Sequence, residues 1–314
     1  MKLDTFRENI ESQSSLFLAQ SYQDAWADYS RSLKKERFAR WDYVVLTASN
    51  EEQAEGFREQ IKLRSEEGFL PTQTKFLILP DPEGKRVGSG GATLNVLRAI
   101  AEEENSGDFS EKRILVIHSG GDSKRVPQYS ALGKLFSPVP HKLEDGRTST
   151  LFDEFMAEMS GVAGRIREGM VLLSGDVLLL FNSLQIDFPG RGAAAVSFKE
   201  NVETGKNHGV FLMGEDGNVK KFLHKQTTET LRQQGAVNQH DAVDIDTGMV
   251  IFSTEMLNSL YSMISSDGIF DVEKYETYVN EKVRLSLYGD FLYPLASDST
   301  LEAFYEEKPE GDFC

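Results

Sequence analysis

Short runs of apolar, often β-branched residues recur along the chain. Most are followed by a turn and then by apolar positions at helical spacing. Tyr43–Ala48 (YVVLTA) is the first run, and it reads as a strand buried on both faces, as in a parallel sheet. Ser49 or Asn50 caps the helix after it, on which Ala54, Phe57 and Ile61 share a face, and Gly68 offers a stop. Phe76–Leu79 (FLIL) is a second strand, and Gly88-Ser89-Gly90-Gly91 then opens a helix with Leu94, Leu97, Ile100 and Ala101 on one face. Ile114–Ile117 (ILVI) is a third strand. Leu151, Phe155 and Met159 mark a helix capped by Ser149 or Thr150, and Met170–Leu173 is a fourth strand ending in Ser174-Gly175-Asp176. Ala193–Phe198 is a fifth.

Strands alternating with helices, with glycines after the strands, predict an α/β fold: a Rossmann-like, mostly parallel twisted sheet with flanking helices. In such sheets ligands bind beyond the carboxyl ends of the strands, where all three glycine-bearing turns fall. Residues 1–40 read as a helical segment, including Phe17–Tyr29, packed on the edge of a domain spanning 41–295. From about residue 205 the pattern turns strand-rich (His208–Met213, Gly217–Leu223, Thr247–Phe252), as a subdomain would, and 296–314 form a C-terminal extension.

Composition narrows the class. Apolar residues make up 39% of the 314 residues, enough for a packed core. The net charge of −16 repels polyphosphate backbones at long range, so nucleic acid is not an expected partner. A small anion remains compatible if a few cations converge in one cleft. The single cysteine is Cys314, which leaves no disulfide framework, and no apolar run reaches the roughly 18–20 residues of a membrane span. The expectation is a cytoplasmic protein with no membrane partner. The abrupt ending EEKPEGDFC reads as one piece of a longer polypeptide with further domains.

The candidate chemistry sits in the turns. After the third strand comes HSGGDSKRVPQYSALGKLFSPVP, from His118 to Pro140. Gly120 and Gly121 let the backbone approach an anion, and successive N–H groups there form a phosphate nest together with Ser123. Arg125 is placed to grip phosphate oxygens, and Lys134 adds a second positive charge. The Gly-Lys-Ser/Thr ending of a Walker A loop is absent. Gly88, Ser89, Gly90 and Gly91 offer a second helix N-terminus suited to an anion or a polar base edge. They equally suit close strand–helix packing. Asp176 ends a strand beside the ligand crevice, where Mg²⁺ would take one or two carboxylates together with phosphate oxygens and water. Its expected partner is Asp246, with Asp244 competing. Lys225 is a candidate phosphate ligand, with Gly209 nearby in the strand-rich half. The five histidines show no zinc spacing, and no nucleophile elbow or Cys/His pair appears. His118 reads as a strand-end residue hydrogen-bonded to the backbone.

The run from His118 to Pro140 resembles the L-fucokinase/GDP-fucose pyrophosphorylase family. So do DYVVLTASNEEQAEGF with FLILPDPEGKRVGSGGATLNVL, and the later YGDFLYPL, in the same order, over roughly residues 41–295. The resemblance implies a glycosyltransferase-A-like nucleotidyltransferase domain, with the strand-rich part facing the sugar. It implies the reaction of L-fucose 1-phosphate with GTP to give GDP-L-fucose and diphosphate. Gly120, Gly121, Ser123, Arg125 and Lys134 match the signature's glycine-rich loop, arginine and lysine; Asp176 and Asp246 match its metal aspartates; Gly209 and Lys225 match its sugar-side positions. Two departures stand out: Asp122-Ser123-Lys124 precede the arginine, and Leu135 follows the lysine where proline is usual. Family members are longer, some with a β-helical region or a sugar kinase. No kinase-like ATP motif occurs here, so fucokinase activity is not expected. The alternatives are a non-catalytic phosphosugar- or nucleotide-binding domain, and a dinucleotide-binding dehydrogenase. The second fails at Thr93, which stands where the third glycine of Gly-x-Gly-x-x-Gly belongs.

Overall fold

A computed structural model describes residues 2–34, 38–119, 129, 133–143 and 146–307, with 2–14 and 306–307 described by backbone alone. Helix α1 (Lys2–Lys34) precedes β1 (Tyr43–Ala48), α2 (Glu51–Glu66), β2 (Lys75–Pro80), α3 (Gly88–Glu104) and β3 (Arg113–His118). A short hairpin, β4 (Pro138–Lys142) and β5 (Thr148–Thr150), leads into α4 (Leu151–Val162) and β6 (Gly169–Ser174). Then come β7 (Ala193–Asn201), α5 (Val202–Gly205), β8 (Gly209–Met213), β9 (Val219–His224), α6 (Thr228–Gln233), β10 (Ala242–Phe252) and α7 (Thr254–Ser262). The central sheet is mixed and eight-stranded, in the order β2-β1-β3-β6-β10-β8-β9, with β7 also paired to β10.

The centre of this sheet is parallel: β2, β1, β3 and β6 run side by side in register. Alternate residues of these strands feed two separate apolar layers. Val44, Leu46, Leu115, Ile117, Val171 and Leu173 face the layer under α1, α2 and α4. Tyr43, Val45, Ile114, Val116, Met170 and Leu172 face the layer under α3 and α7. The continuous apolar runs of the sequence therefore reflect burial on both faces. The fifth strand is longer than its apolar run and lies antiparallel on β10, not among the parallel strands.

Local signals explain the helix ends. The Asn50 side chain accepts the Gln53 amide to start α2, and Gly68 takes φ +75° just beyond its end. Thr150 and Asp153 form a reciprocal capping box at α4. Asp153 does more than cap. Its two oxygens accept from Arg64 Nε at 2.6 Å and Arg64 Nη2 at 3.0 Å, and both side chains are nearly buried. The guanidinium also lies over Phe136 at 5.0 Å and Phe152 at 5.5 Å. This clamp joins α2, α4 and the turn at 133–136. Glu154 does the same for α1. It accepts from Tyr22 Oη (2.7 Å), Trp26 Nε1 (3.2 Å) and Ser149 Oγ (2.6 Å). No described helix is long and apolar enough to cross a membrane.

Arg64→Ala leaves Asp153 buried with half its donors gone and opens the space between two aromatic rings. The expected loss is about 3 kcal/mol in urea unfolding. Arg64→Lys recovers little of it, because an ammonium lacks the planar fork.

Candidate active site

Strands β6 and β8 are both antiparallel to β10, and their pairing leaves a gap between them along its edge. Residues Met249–Phe252 of β10 pair with β6, whereas Asp244 and Ile245 pair with β8. β7 runs along the other edge of β10 through both stretches. So β6 ends and β8 begins along the same edge of β10, and Asp246, Thr247 and Gly248 span the gap. Gly248 has φ +77°, and a Cβ there would sit 3.1 Å from the Ser174 Cβ, which places the end of β6 against this gap.

The carboxyl ends of β1, β3 and β6 converge at the same place. Gly175 donates its N–H to the His118 carbonyl at 2.8 Å. A Cβ on Gly175 would lie 2.9 Å from that oxygen, so only glycine permits the approach. Asp176 then projects past it. Its Oδ2 accepts from Lys134 Nζ at 2.8 Å and its Oδ1 from Ser174 Oγ at 2.8 Å. Burial would push this carboxyl up. The hydrogen bonds from Lys134 and Ser174, with the lysine's charge, outweigh it and hold the group below the usual carboxylate range. Lys134 is aimed from behind by its neighbour: Leu135 is fully buried and its carbonyl accepts from Phe152 N–H at 2.8 Å. The leucine in the usual place of proline is thus a core anchor. Gly120, Gly121, Ser123 and Arg125 lie outside the described residues.

The far wall of the gap comes from the β8–β9 hairpin. A Cβ on Gly209 would collide with the Phe222 ring at 2.4 Å and lie 3.5 Å from the Asp246 Cβ. Lys225, exposed and at φ +46°, donates its N–H to the His208 carbonyl, so Gly209, Lys225 and Asp246 belong to one locality. Asp246 Oδ1 accepts from Gly248 N–H at 3.0 Å, and the carboxylate lies within electrostatic reach of the Tyr288 hydroxyl. Burial pushes the Asp246 carboxyl up, and the Gly248 N–H and the nearby Tyr288 hydroxyl only partly offset it. Asp244 is differently engaged: both its oxygens meet Lys199 Nζ at 2.8 Å across β7. Among the described residues no three His, Cys, Asp or Glu side chains converge on a point.

The Gly88–Gly91 turn has a visible packing role. Gly88 begins α3 at φ +79°, and a Cβ there would stand 2.3 Å from the Leu285 carbonyl oxygen. Gly90 N–H donates to that oxygen at 2.7 Å, and Ser89 Oγ accepts from Leu287 N–H at 2.9 Å. The segment after residue 284, with a π-helical turn at Leu287–Leu292, therefore closes over the start of α3. It carries the YGDFLYPL run, and its Tyr288 stacks on Phe222 at 5.3 Å. Sequence periodicity gives no hint of either contact. His118 also differs from expectation: its ring bonds the side chains of Thr47 and Thr93, not the backbone. Burial pushes it down to about 4, so it is neutral at physiological pH.

Comparison with known proteins bears on this geometry. The model of the fucose pyrophosphorylase domain family matches residues 106–313. The chain is 29% identical to the bifunctional fucokinase/GDP-fucose pyrophosphorylase of Arabidopsis thaliana over 309 residues, covering 88% of this chain and 29% of that protein. It is 29% identical to the mouse (Mus musculus) fucose-1-phosphate guanylyltransferase over 286 residues, covering 83% of this chain and 47% of that one. A shorter stretch of 74 residues is 40% identical to the L-fucokinase/L-fucose-1-P guanylyltransferase of Bacteroides fragilis, covering 22% of this chain and 8% of that protein. The chain thus spans less than half the length of these relatives. A match over most of its sequence, including strands β6 to β10, shows that it belongs to the fucose pyrophosphorylase domain family.

Proposed function

We propose that this chain is a sugar-1-phosphate nucleotidyltransferase that joins L-fucose 1-phosphate to GTP, giving GDP-L-fucose and diphosphate with the help of Mg²⁺. The observation that carries the reading is the Lys134–Asp176 pair at the mouth of the gap where β6 ends and β8 begins. It puts a cation and an ionised carboxylate side by side at the carboxyl ends of the strands. Guanine and fucose come from the relatives' names, which describe fucose-1-phosphate guanylyltransferases and GDP-fucose pyrophosphorylases.

The chemistry asks little covalent work of the protein. A sugar-phosphate oxygen attacks the α-phosphorus in line, the P–O bond to the β-phosphate breaks, and diphosphate leaves. The second pKa of a phosphate monoester is about 6, so the attacking oxygen is already ionised at neutral pH and needs no general base. The obstacle is bringing two polyanions together inside a chain of net charge −16. Lys134 has three N–H donors, and Asp176 takes one of them, leaving the others for phosphate oxygens. Arg125 would supply the second clamp, and Gly209 with Lys225 would face the sugar phosphate.

The donor set suits Mg²⁺. Asp176 is ionised and half exposed, and a cation that keeps water and phosphate oxygens needs only one or two protein carboxylates. Asp246, set deeper on the adjacent strand, is the second candidate. When bound, the ion supplies charge neutralisation of the phosphate oxygens. Asp176 would hold the ion where it now meets Lys134, which would leave that lysine to the substrate's phosphate oxygens.

Lys134→Ala and Arg125→Ala are each expected to lower kcat about 100-fold or more in a diphosphate-release assay, as loss of one charge-stabilising donor does. Near-normal turnover in both variants would remove them from the reaction. Chelation of divalent cations by EDTA is expected to abolish release and Mg²⁺ to restore it. Full activity in chelator would overturn the two-aspartate site. A thermal shift with GTP, but not ATP or UTP, checks the base.

A further inference from the structure

A directed chain of hydrogen bonds runs through His118 and links the end of β3 at Ser119 to the glycine-rich start of α3. Thr93 Oγ1 donates its one proton to the Ser89 carbonyl at 2.9 Å. Toward His118 Nε2, 3.1 Å away, it can only accept. Nε2 therefore carries the ring proton, and Nδ1 of the neutral imidazole is an acceptor. On that side stands Thr47 Oγ1 at 3.4 Å. This hydroxyl accepts from Ser119 N–H at 3.3 Å, which leaves its proton for Nδ1. Ser119 Oγ in turn donates to the Thr47 carbonyl at 2.6 Å.

The order of donation is continuous. It starts at the Ser119 amide, passes through Thr47, His118 and Thr93, and ends at the Ser89 carbonyl. Ser119 is the last described residue before the Gly120-Gly121 loop, and Ser89 lies inside the Gly88–Gly91 turn. The backbone of His118 extends the link to a third element, since its carbonyl holds Gly175 next to Asp176. The Ser89 hydroxyl extends it to the segment at Leu287.

We propose that His118 is a positioning residue for nucleotide binding: as a fixed Nε2–H tautomer it sets the spacing between the end of β3 at Ser119 and the first turn of α3. It touches no reacting atom. An imidazole suits the role because it donates at one end and accepts at the other. Burial keeps the ring neutral, so the direction of the chain does not reverse across the physiological range. The inference rests on the nucleotidyltransferase reading for the identity of its ligand and for its kinetic readout.

The test is a pair of substitutions at Thr93. Thr93→Val keeps the shape and removes the hydroxyl, whereas Thr93→Ser keeps the hydroxyl. Loss of one such bond is expected to weaken GTP binding and raise KM for GTP about tenfold in Thr93→Val, with KM for the sugar phosphate unchanged. Thr93→Ser should stay within about threefold of the parent, less than half the free energy of that loss. Long-range ¹H–¹⁵N spectra of the parent chain should show His118 as the Nε2–H tautomer with no titration between pH 5.5 and 8. Unaltered GTP binding in Thr93→Val, an Nδ1–H tautomer, or titration in that range would each overturn the proposal. Equal losses in Thr93→Val and Thr93→Ser would also do so, since the hydroxyl would then not matter. Binding and tautomer are read without turnover. A parent chain that binds GTP but forms no GDP-sugar would sink the catalytic reading while this inference stood.

Discussion

Everything in this molecule follows from the need to bury both faces of a parallel sheet. β1, β3 and β6 carry almost no exposed side chain, so the chain must supply an apolar layer on each side. Parallel strands also demand crossovers that return to the same starting edge. As a result the turns after β1, β2, β3 and β6 all open at one end of the sheet. Lys134 and Asp176, both among the described residues, come together there because the connections have nowhere else to go. Lys134 and Asp176 are separated by 42 residues and meet because the strands before them are adjacent.

The parallel arrangement stops at β10, and the interruption makes the site. Because β6 and β8 share one edge of an antiparallel strand, a gap opens between them. It is bordered by Asp176 on one side and by Gly209 on the other, with Asp246 across its floor. The two aspartates have opposite environments: the first is kept ionised by a lysine, the second is pressed toward neutrality by burial. In the proposed reaction that difference ranks them, since an exposed, ionised carboxylate is the readier cation ligand.

Much of this was legible in the sequence where the signal is local. The buried strands, the Asn50 cap, the Thr150 cap and the Gly68 stop are all set by residues within a few positions of one another. The glycine-rich start of α3 was legible too, but not the segment it packs against. Gly88 and Gly90 are required at least in part by the backbone of residues 284–285, which no local pattern connects to them. Asp244 and Asp246 differ by two positions on one strand, and only the pairing of β10 with β7 and β8 tells the lysine-bound one from the one in the gap. The sequence points to a backbone partner for His118, whereas its two hydroxyl partners come from β1 and α3, beyond any local pattern. Where the outcome depends on which strands lie side by side, single-residue arguments end.

The closure over Gly88 has a consequence for how the protein forms. Ser89 meets Leu287 across a separation of 198 residues, and six of the eight strands of the central sheet lie between them. Closing so long a loop is entropically costly until the intervening strands have condensed, and contacts of that range slow folding. The first turn of α3 is made early in synthesis but acquires its final backing only after nearly all of the domain has emerged. A turn completed last is one that a half-made chain does not possess.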